Sequence, residues 1–206
     1  MSMLFVFLLV LINIGIAWWN CYAVGSVWKD TMAFGSRFEK ALLYSGAVQS
    51  TAGFSIPILL VITWVTTLLL QMGSTPAPPE QIKAIWEGVM NLWYVAIIIP
   101  VVGSGFIIWG HSMREAWKNR DLVSFGVAGW NTFAQISNTI SVFNNLGPAM
   151  SKVGDLFKGS KSKDAAPLLV ILIVLVALMS SVLLTVKLIQ YYAEKAPSRL
   201  VELARK

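Results

Sequence analysis

The sequence predicts an all-α integral membrane protein with about four transmembrane helices and an amphipathic or re-entrant helix between the third and the fourth. Hydrophobic residues make up 56% of the 206 residues and charged residues only 13%, whereas a soluble domain has about 25% charged residues. The 16 basic and 10 acidic residues leave four uncharged stretches, each long enough for the roughly 20 apolar residues that cross a bilayer. Cys21 is the only cysteine, so an intrachain disulfide scaffold is excluded.

These stretches place the membrane spans in order along one transmembrane domain, 1–206. The spans are expected at about 4–24, 53–72, 88–110 and 167–190. Most tryptophans fall near the ends of these spans, where aromatic rings meet lipid headgroups. Three prolines between Gly73 and Glu80 cannot continue a helix, so a short stiff loop is expected to join the second span to the third.

Prolines and glycines within the spans predict close helix packing. Pro57 interrupts the second span and Pro100 the third, and Gly103 and Gly105 lie just beyond Pro100. A proline removes one backbone donor, and in lipid the freed carbonyl is tolerated only where neighbouring protein covers it. Glycine lets two helix backbones approach closely. The third span is therefore expected to pack inside the bundle.

The uncharged segment 122–146 carries a polar seam. Ser124, Asn131, Asn138 and Asn145 recur every seven residues, and Gln135 falls on the same helical face. Gly147 and Pro148 are expected to end this helix, and a basic linker follows at 152–166. The seam predicts hydrogen-bonded contacts between helices, an uncharged pore lining in a symmetric oligomer, or a helix lying at the membrane surface. The absence of Lys and Arg from this face disfavours the surface helix.

The basic residues predict the orientation, because they favour the cytoplasmic side. The N-terminus is therefore expected outside, because 10 of the 16 basic residues then face the cytoplasm in a four-span chain and 11 in a five-span chain. Charge counting therefore leaves the number of spans open. Anionic lipid headgroups are the expected partners of the net charge of +6, and no nucleic acid is expected. The residues expected to contact headgroups are Arg114, Lys118, Arg120, Lys158, Lys161 and Lys163.

Residues for catalysis are sparse. His111 is the only histidine, which excludes multi-histidine metal sites and most acid–base triads. None of the acidic residues lies deep in a span, although such groups normally mark proton or ion pathways. The sequence therefore predicts no catalytic residue, no metal site, no cofactor and no enzyme activity.

The expected function is that of a non-catalytic structural or assembly subunit of a multi-subunit membrane complex. The seam would join it to further copies of itself or to other membrane subunits. The alternatives are a homo-oligomeric pore, either a channel or a lysis-type permeabiliser, and an accessory subunit of a transporter or membrane enzyme. The expected location is a prokaryotic inner membrane or a viral membrane.

Overall fold

The protein folds into five long helices in a computed structural model that describes residues 3–158 and 166–197. The helices are α1 (Met3–Phe34), α2 (Arg37–Met72), α3 (Pro79–Asn119), α4 (Leu122–Lys158) and α5 (Ala166–Lys195). Four of them, α1, α2, α3 and α5, are long and apolar enough to span a membrane. The predicted class, a multi-pass all-α membrane protein with one extra helix between the third and fourth spans, is confirmed.

Local sequence signals set the helix ends. The hydroxyl of Ser36 accepts the Glu39 N–H at 3.3 Å while the Ser36 N–H donates to the Glu39 carboxylate at 2.6 Å, a reciprocal cap that begins α2. Arg120 ends α3 in the left-handed conformation. Asp121 then accepts the Ser124 N–H at 2.9 Å, and this hydrogen bond holds the pKa of the Asp121 carboxyl below its usual value.

Contacts between helices define their directions. Gly46 packs against Val24 and Gly53 against Ala17, so α1 and α2 are antiparallel. The pairs Gln49–Ser104 and Ser55–Trp93 make α2 and α3 antiparallel. The pairs Trp109–Thr132 and Tyr94–Ser141 do the same for α3 and α4.

The last helix runs in the same direction as the first. Cys21 contacts the carbonyl of Thr185, and Gly25 lies against Ile189 one turn further along both helices. Because residue numbers increase together along the two helices, α1 and α5 are parallel.

Two buried clusters form the core, and α4 lies at its edge. One cluster joins α2, α3 and α5 around Leu59, Val89 and Val170. The other joins α1, α2 and α5 around Cys21 and Phe54. Helix α4 packs mainly against α3, so one side of α4 has no neighbouring helix within residues 3–158 and 166–197.

The expected end of α4 near Pro148 is wrong, because the helix continues to Lys158. Gly147 and Pro148 are exposed, whereas Ala149 is buried. The proline ring therefore faces away from the bundle while the next residue keeps α4 packed. A proline deprives the helix of only one backbone donor, and packing on both sides of it maintains the helical path. Residues 152–158 of the predicted basic linker are consequently helical.

Candidate functional site

Two glutamines from neighbouring helices converge on the backbone of α3 just after Pro100. The Gln49 amide of α2 donates to the Val101 carbonyl at 2.8 Å and to the Ser104 hydroxyl at 2.9 Å. The Gln135 amide of α4 donates to the Val102 carbonyl at 3.2 Å. These bonds tie α2, α3 and α4 together at one depth of the bundle.

Glycine makes this convergence possible. A Cβ atom on Gly105 would overlap Oε1 of Gln135 and lie 3.6 Å from Nε2 of Gln49. No residue with a side chain fits there unless the Gln135 amide moves away. Gly105 therefore packs closely against the amide of Gln135.

Gly103 and Pro100 do not share this packing. Among the described residues of this chain, nothing lies within 4 Å of a Cβ built on Gly103, and both residues are exposed. Two residues along an α-helix correspond to about 200° of rotation, so Gly103 and Gly105 face opposite sides. Pro57 is half-buried within α2.

The predicted polar seam divides into parts with different environments. Gln135 is buried against α3, and Asn131 and Asn138 are half-buried beside it. Asn145 is exposed, and its amide lies 3.3 Å from the Ser141 hydroxyl. Ser124 bonds the Asp121 carboxylate at 2.7 Å, as part of the turn that begins α4.

One edge of α4 therefore carries amides with few partners. The structure gives no hydrogen bond to the side chains of Asn131 and Asn138 within residues 3–158 and 166–197. Together with Asn145, these residues form what we term the amide edge. It borders the contact between α3 and α4 along one side.

A groove of about 370 Å³ borders the same contact on its other side. Phe106 and Trp109 of α3 form one wall. Thr132, Ile136 and Phe143 of α4 contribute to the other. The lining is apolar, and it suits hydrocarbon or the side chains of an apolar helix.

The basic residues expected to contact headgroups lie at two ends of the molecule. Arg114, Lys118 and Arg120 are exposed near the end of α3, whereas Lys158 is exposed at the far end of α4. The 37 residues of α4 separate the two groups by about 55 Å at 1.5 Å per residue. Lys161 and Lys163 lie outside the described residues.

Groups with chemical reactivity are scattered. In the described part of the chain, no three His, Cys, Asp or Glu residues lie together in a way that could hold a metal ion. The ring of His111 lies 6.2 Å from that of Phe38. Cys21 is fully buried, with its sulfur 3.9 Å from the Thr185 carbonyl.

Sequence reasoning missed Gln49, which makes the shortest of the interhelical amide bonds described above. Its signal was available, because Gln49 lies within the uncharged stretch 41–79. A buried amide in a membrane helix needs a hydrogen-bond partner. The partner itself was not predictable, since it is the backbone of a helix more than 50 residues away.

Comparisons of this chain with protein-family models, with curated proteins and with solved structures give no match.

Proposed function

We propose that this protein is a non-catalytic structural or assembly subunit of a multi-subunit membrane complex, and that the amide edge of α4 joins it to its neighbours. The observation that carries the proposal is the position of α4. This helix packs mainly against α3 and leaves Asn131, Asn138 and Asn145 at the border of that contact. A further copy of this chain or another membrane subunit can cover this border.

The physical reason is the cost of an unpaired amide in hydrocarbon. An Asn side chain both donates and accepts hydrogen bonds, so it can pair with an Asn of an identical copy. Such bonds contribute about 1 kcal/mol each between membrane helices. A recurring Asn can also select one register and one number of subunits.

Replacing Asn138 with Leu tests the proposal. The variant removes an amide of the edge while keeping a side chain of similar size. We expect the association constant to fall roughly fivefold for each lost bond of about 1 kcal/mol. Native mass spectrometry of protein extracted gently from its own membrane would report the distribution of assembled species.

The matched control is Asn20→Leu, the same change at a half-buried position on α1. This variant should assemble like the wild type. If Asn138→Leu also assembles like the wild type, the amide edge has no part in association.

A homo-oligomeric pore is the second candidate, and the exposed polar side chains of α4 favour it. Ser137, Asn144 and Asn145 are exposed, and none of them is charged. A ring of copies with α4 at its centre would give an uncharged polar lining. In that case Asn138→Leu would change ion flux through reconstituted vesicles and leave the number of subunits unchanged. An accessory subunit of a transporter or membrane enzyme would instead extract with different proteins at a fixed ratio.

We further propose that the N-terminal end of α1 lies outside, in a prokaryotic inner membrane or a viral membrane. The bundle end at which α1 and α3 finish carries eight basic residues of the described chain: Lys29, Arg37, Lys40, Arg114, Lys118, Arg120, Lys187 and Lys195. The opposite end carries Lys83, Lys152 and Lys158. The richer end is expected to face the cytoplasm.

A further inference from the structure

The parallel arrangement of α1 and α5 constrains the path of α4. Helices α1, α2 and α3 alternate in direction, so α3 finishes at the same end of the bundle as α1. Helix α5 begins at the opposite end, where Val170 lies against Gly88 near the start of α3. The chain must therefore return through the length of the bundle between α3 and α5. Helix α4 makes that return.

The contacts of α4 extend along almost all of α3. Near the finish of α3, Trp109 bonds Thr132 at 2.9 Å. Further back, Tyr94 bonds the Ser141 carbonyl at 2.8 Å. Near the start of α3, Leu156 lies against Gly88. The two helices are thus side by side throughout the part of α3 that is expected to be in the membrane.

The uncharged stretches of the two helices overlap in depth. Helix α3 has no charged residue between Glu87 and Arg114, and α4 has none before Lys152. Since Leu156 lies against Gly88, Lys152, four residues earlier on α4, lies about 6 Å further into the bundle than Gly88. Asp121, in the turn after α3, lies about 10 Å beyond the level of Arg114. Between the levels of Lys152 and Arg114 both helices therefore share one uncharged layer.

Aromatic residues mark the two boundaries of this layer. At one boundary, Trp28 pairs with Tyr44 at 6.0 Å between ring centroids. Trp109 lies at the same depth as Tyr44, because Gln49 bonds Ser104 and each ring is five residues from its member of that pair. The other boundary carries Trp64 and Trp86. Ser55 of α2 bonds Trp93 of α3. Trp64 is nine residues after Ser55 and Trp86 is seven residues before Trp93, so the two rings lie at similar depths.

The distance between the boundaries matches a bilayer. Tyr44 and Trp64 are 20 residues apart on α2, which corresponds to about 30 Å, the thickness of the hydrocarbon core. Aromatic rings concentrate at the two edges of that core. Among the described residues, Lys152 and Lys187 are the charged side chains that lie clearly between these levels. Both are exposed, so their long side chains can extend to the nearer boundary.

Helix α4 is not among the four helices whose average hydropathy is high enough for a membrane span. Its polar side chains lower that average, and their position on the helix shows why they are compatible with lipid. Gln135, Thr132 and Thr139 lie on the side that packs on α3. The large apolar residues of α4 are on other sides, and Trp130, Phe133, Ile140 and Phe143 are each more than half exposed. An average over the sequence cannot detect that these polar groups face α3 while the large apolar residues face outward, beside the exposed Ser137 and Asn144.

We infer that α4 crosses the membrane and that its outward apolar side is a surface for lipid hydrocarbon. The chain then crosses five times, and the beginning of α1 and the end of α5 lie on opposite sides. This inference concerns the bilayer as the partner of α4, and it is independent of whether the amide edge binds another subunit.

Single cysteines at the two ends of α4 test the inference. Leu122→Cys and Asp155→Cys replace exposed residues at opposite ends, and the wild-type protein is the blank because Cys21 is fully buried. A membrane-impermeant maleimide would be added to intact cells or sealed vesicles, before and after permeabilisation. We expect one of the two cysteines to be labelled only from outside and the other only after permeabilisation.

Matched cysteines on α3 and α5 calibrate the result. Lys118→Cys should label with Leu122→Cys, and Glu80→Cys should label with Asp155→Cys. Lys29→Cys on α1 and Glu194→Cys on α5 should label from the same side, because the two helices are parallel. Labelling of Leu122→Cys and Asp155→Cys from one side overturns the inference, and so does labelling of Lys29→Cys and Glu194→Cys from opposite sides.

Discussion

Gly105 is the residue on which the contact of α4 with α3 depends most directly. Its missing side chain leaves room for the Gln135 amide, which bonds the Val102 carbonyl. An interhelical hydrogen bond of this kind is worth about 1 kcal/mol in a membrane. The small residue and the amide therefore act together, and neither alone would hold the two helices at this separation.

Gly105→Ala is expected to destabilise the protein relative to Gly103→Ala. The new methyl group at 105 displaces the Gln135 side chain and breaks its bond, whereas the methyl group at 103 meets open space. Both variants gain the same helix propensity of Ala over Gly. The difference in unfolding free energy is expected to be about 1 kcal/mol, and reversible denaturation in mixed micelles would measure it.

Equal stability of Gly105→Ala and Gly103→Ala would show that the amide bond adds nothing to the fold. Gln135→Leu gives an independent check. In a Gln135→Leu background the difference between the two alanine variants should shrink, since the bond is already absent.

At the scale of elements, small residues set how closely helices approach. Gly25 of α1 lies against α5, where an added Cβ would be 2.6 Å from the Tyr192 Cβ and 2.8 Å from the Ile189 carbonyl oxygen. The same pair of helices is joined by a 2.6 Å hydrogen bond from the Trp18 indole to the Tyr192 hydroxyl. Together with the contact between Cys21 and Thr185, the contact of Gly25 with Ile189 places α5 parallel to α1, and this sets the direction in which α4 must run.

Gly25→Ala is therefore expected to separate α1 from α5. The obstacle is backbone and a Cβ atom, which cannot rotate away, so the helices themselves must shift. Such overpacking typically costs about 1–3 kcal/mol. Gly15→Ala on the same helix is the control, because nothing lies within 4 Å of a Cβ there. Thermal denaturation in detergent should give a lower midpoint for Gly25→Ala alone, and equal midpoints would contradict the close contact.

At the scale of the whole molecule, the five helices share a layer about 30 Å thick in which charges are almost absent. The layer is defined by contacts between helices and not by any one helix. On α4 it covers about 131–151, beside 88–108 on α3. The ends of both helices extend beyond it, into headgroups and water.

Backbone hydrogen exchange in lipid nanodiscs should reveal this layer. Amides within 131–151 of α4 are expected to exchange as slowly as those within 88–108 of α3, because both would be shielded from water. Amides at the two ends of α4 should exchange faster. Mass spectrometry of peptides from the exchanged protein would measure both. Exchange in the middle of α4 as fast as at its ends would contradict a shared membrane layer.

Composition and charge spacing were sufficient for the fold class. Uncharged stretches of spanning length predict membrane helices wherever they occur, because burying a charge in hydrocarbon is costly. The proline-rich segment before Pro79 was an equally direct local signal for a loop. The heptad recurrence of Asn131 and Asn138 predicts one special face of α4, and the role of that face stays a prediction. These properties depend on residues close together in the chain.

The tertiary structure alone decided the register and direction of the helices. No local pattern could tell that Gln49 bonds the backbone at Val101, that Gly105 faces protein while Gly103 faces outward, or that α4 continues past Pro148. The same holds for the parallel packing of α5 on α1. This packing requires α4 to run the length of the bundle, with Lys118 near one end of it and Lys158 at the other. Such features arise from contacts between residues far apart in the chain, and average hydropathy cannot distinguish a polar group facing another helix from one facing lipid.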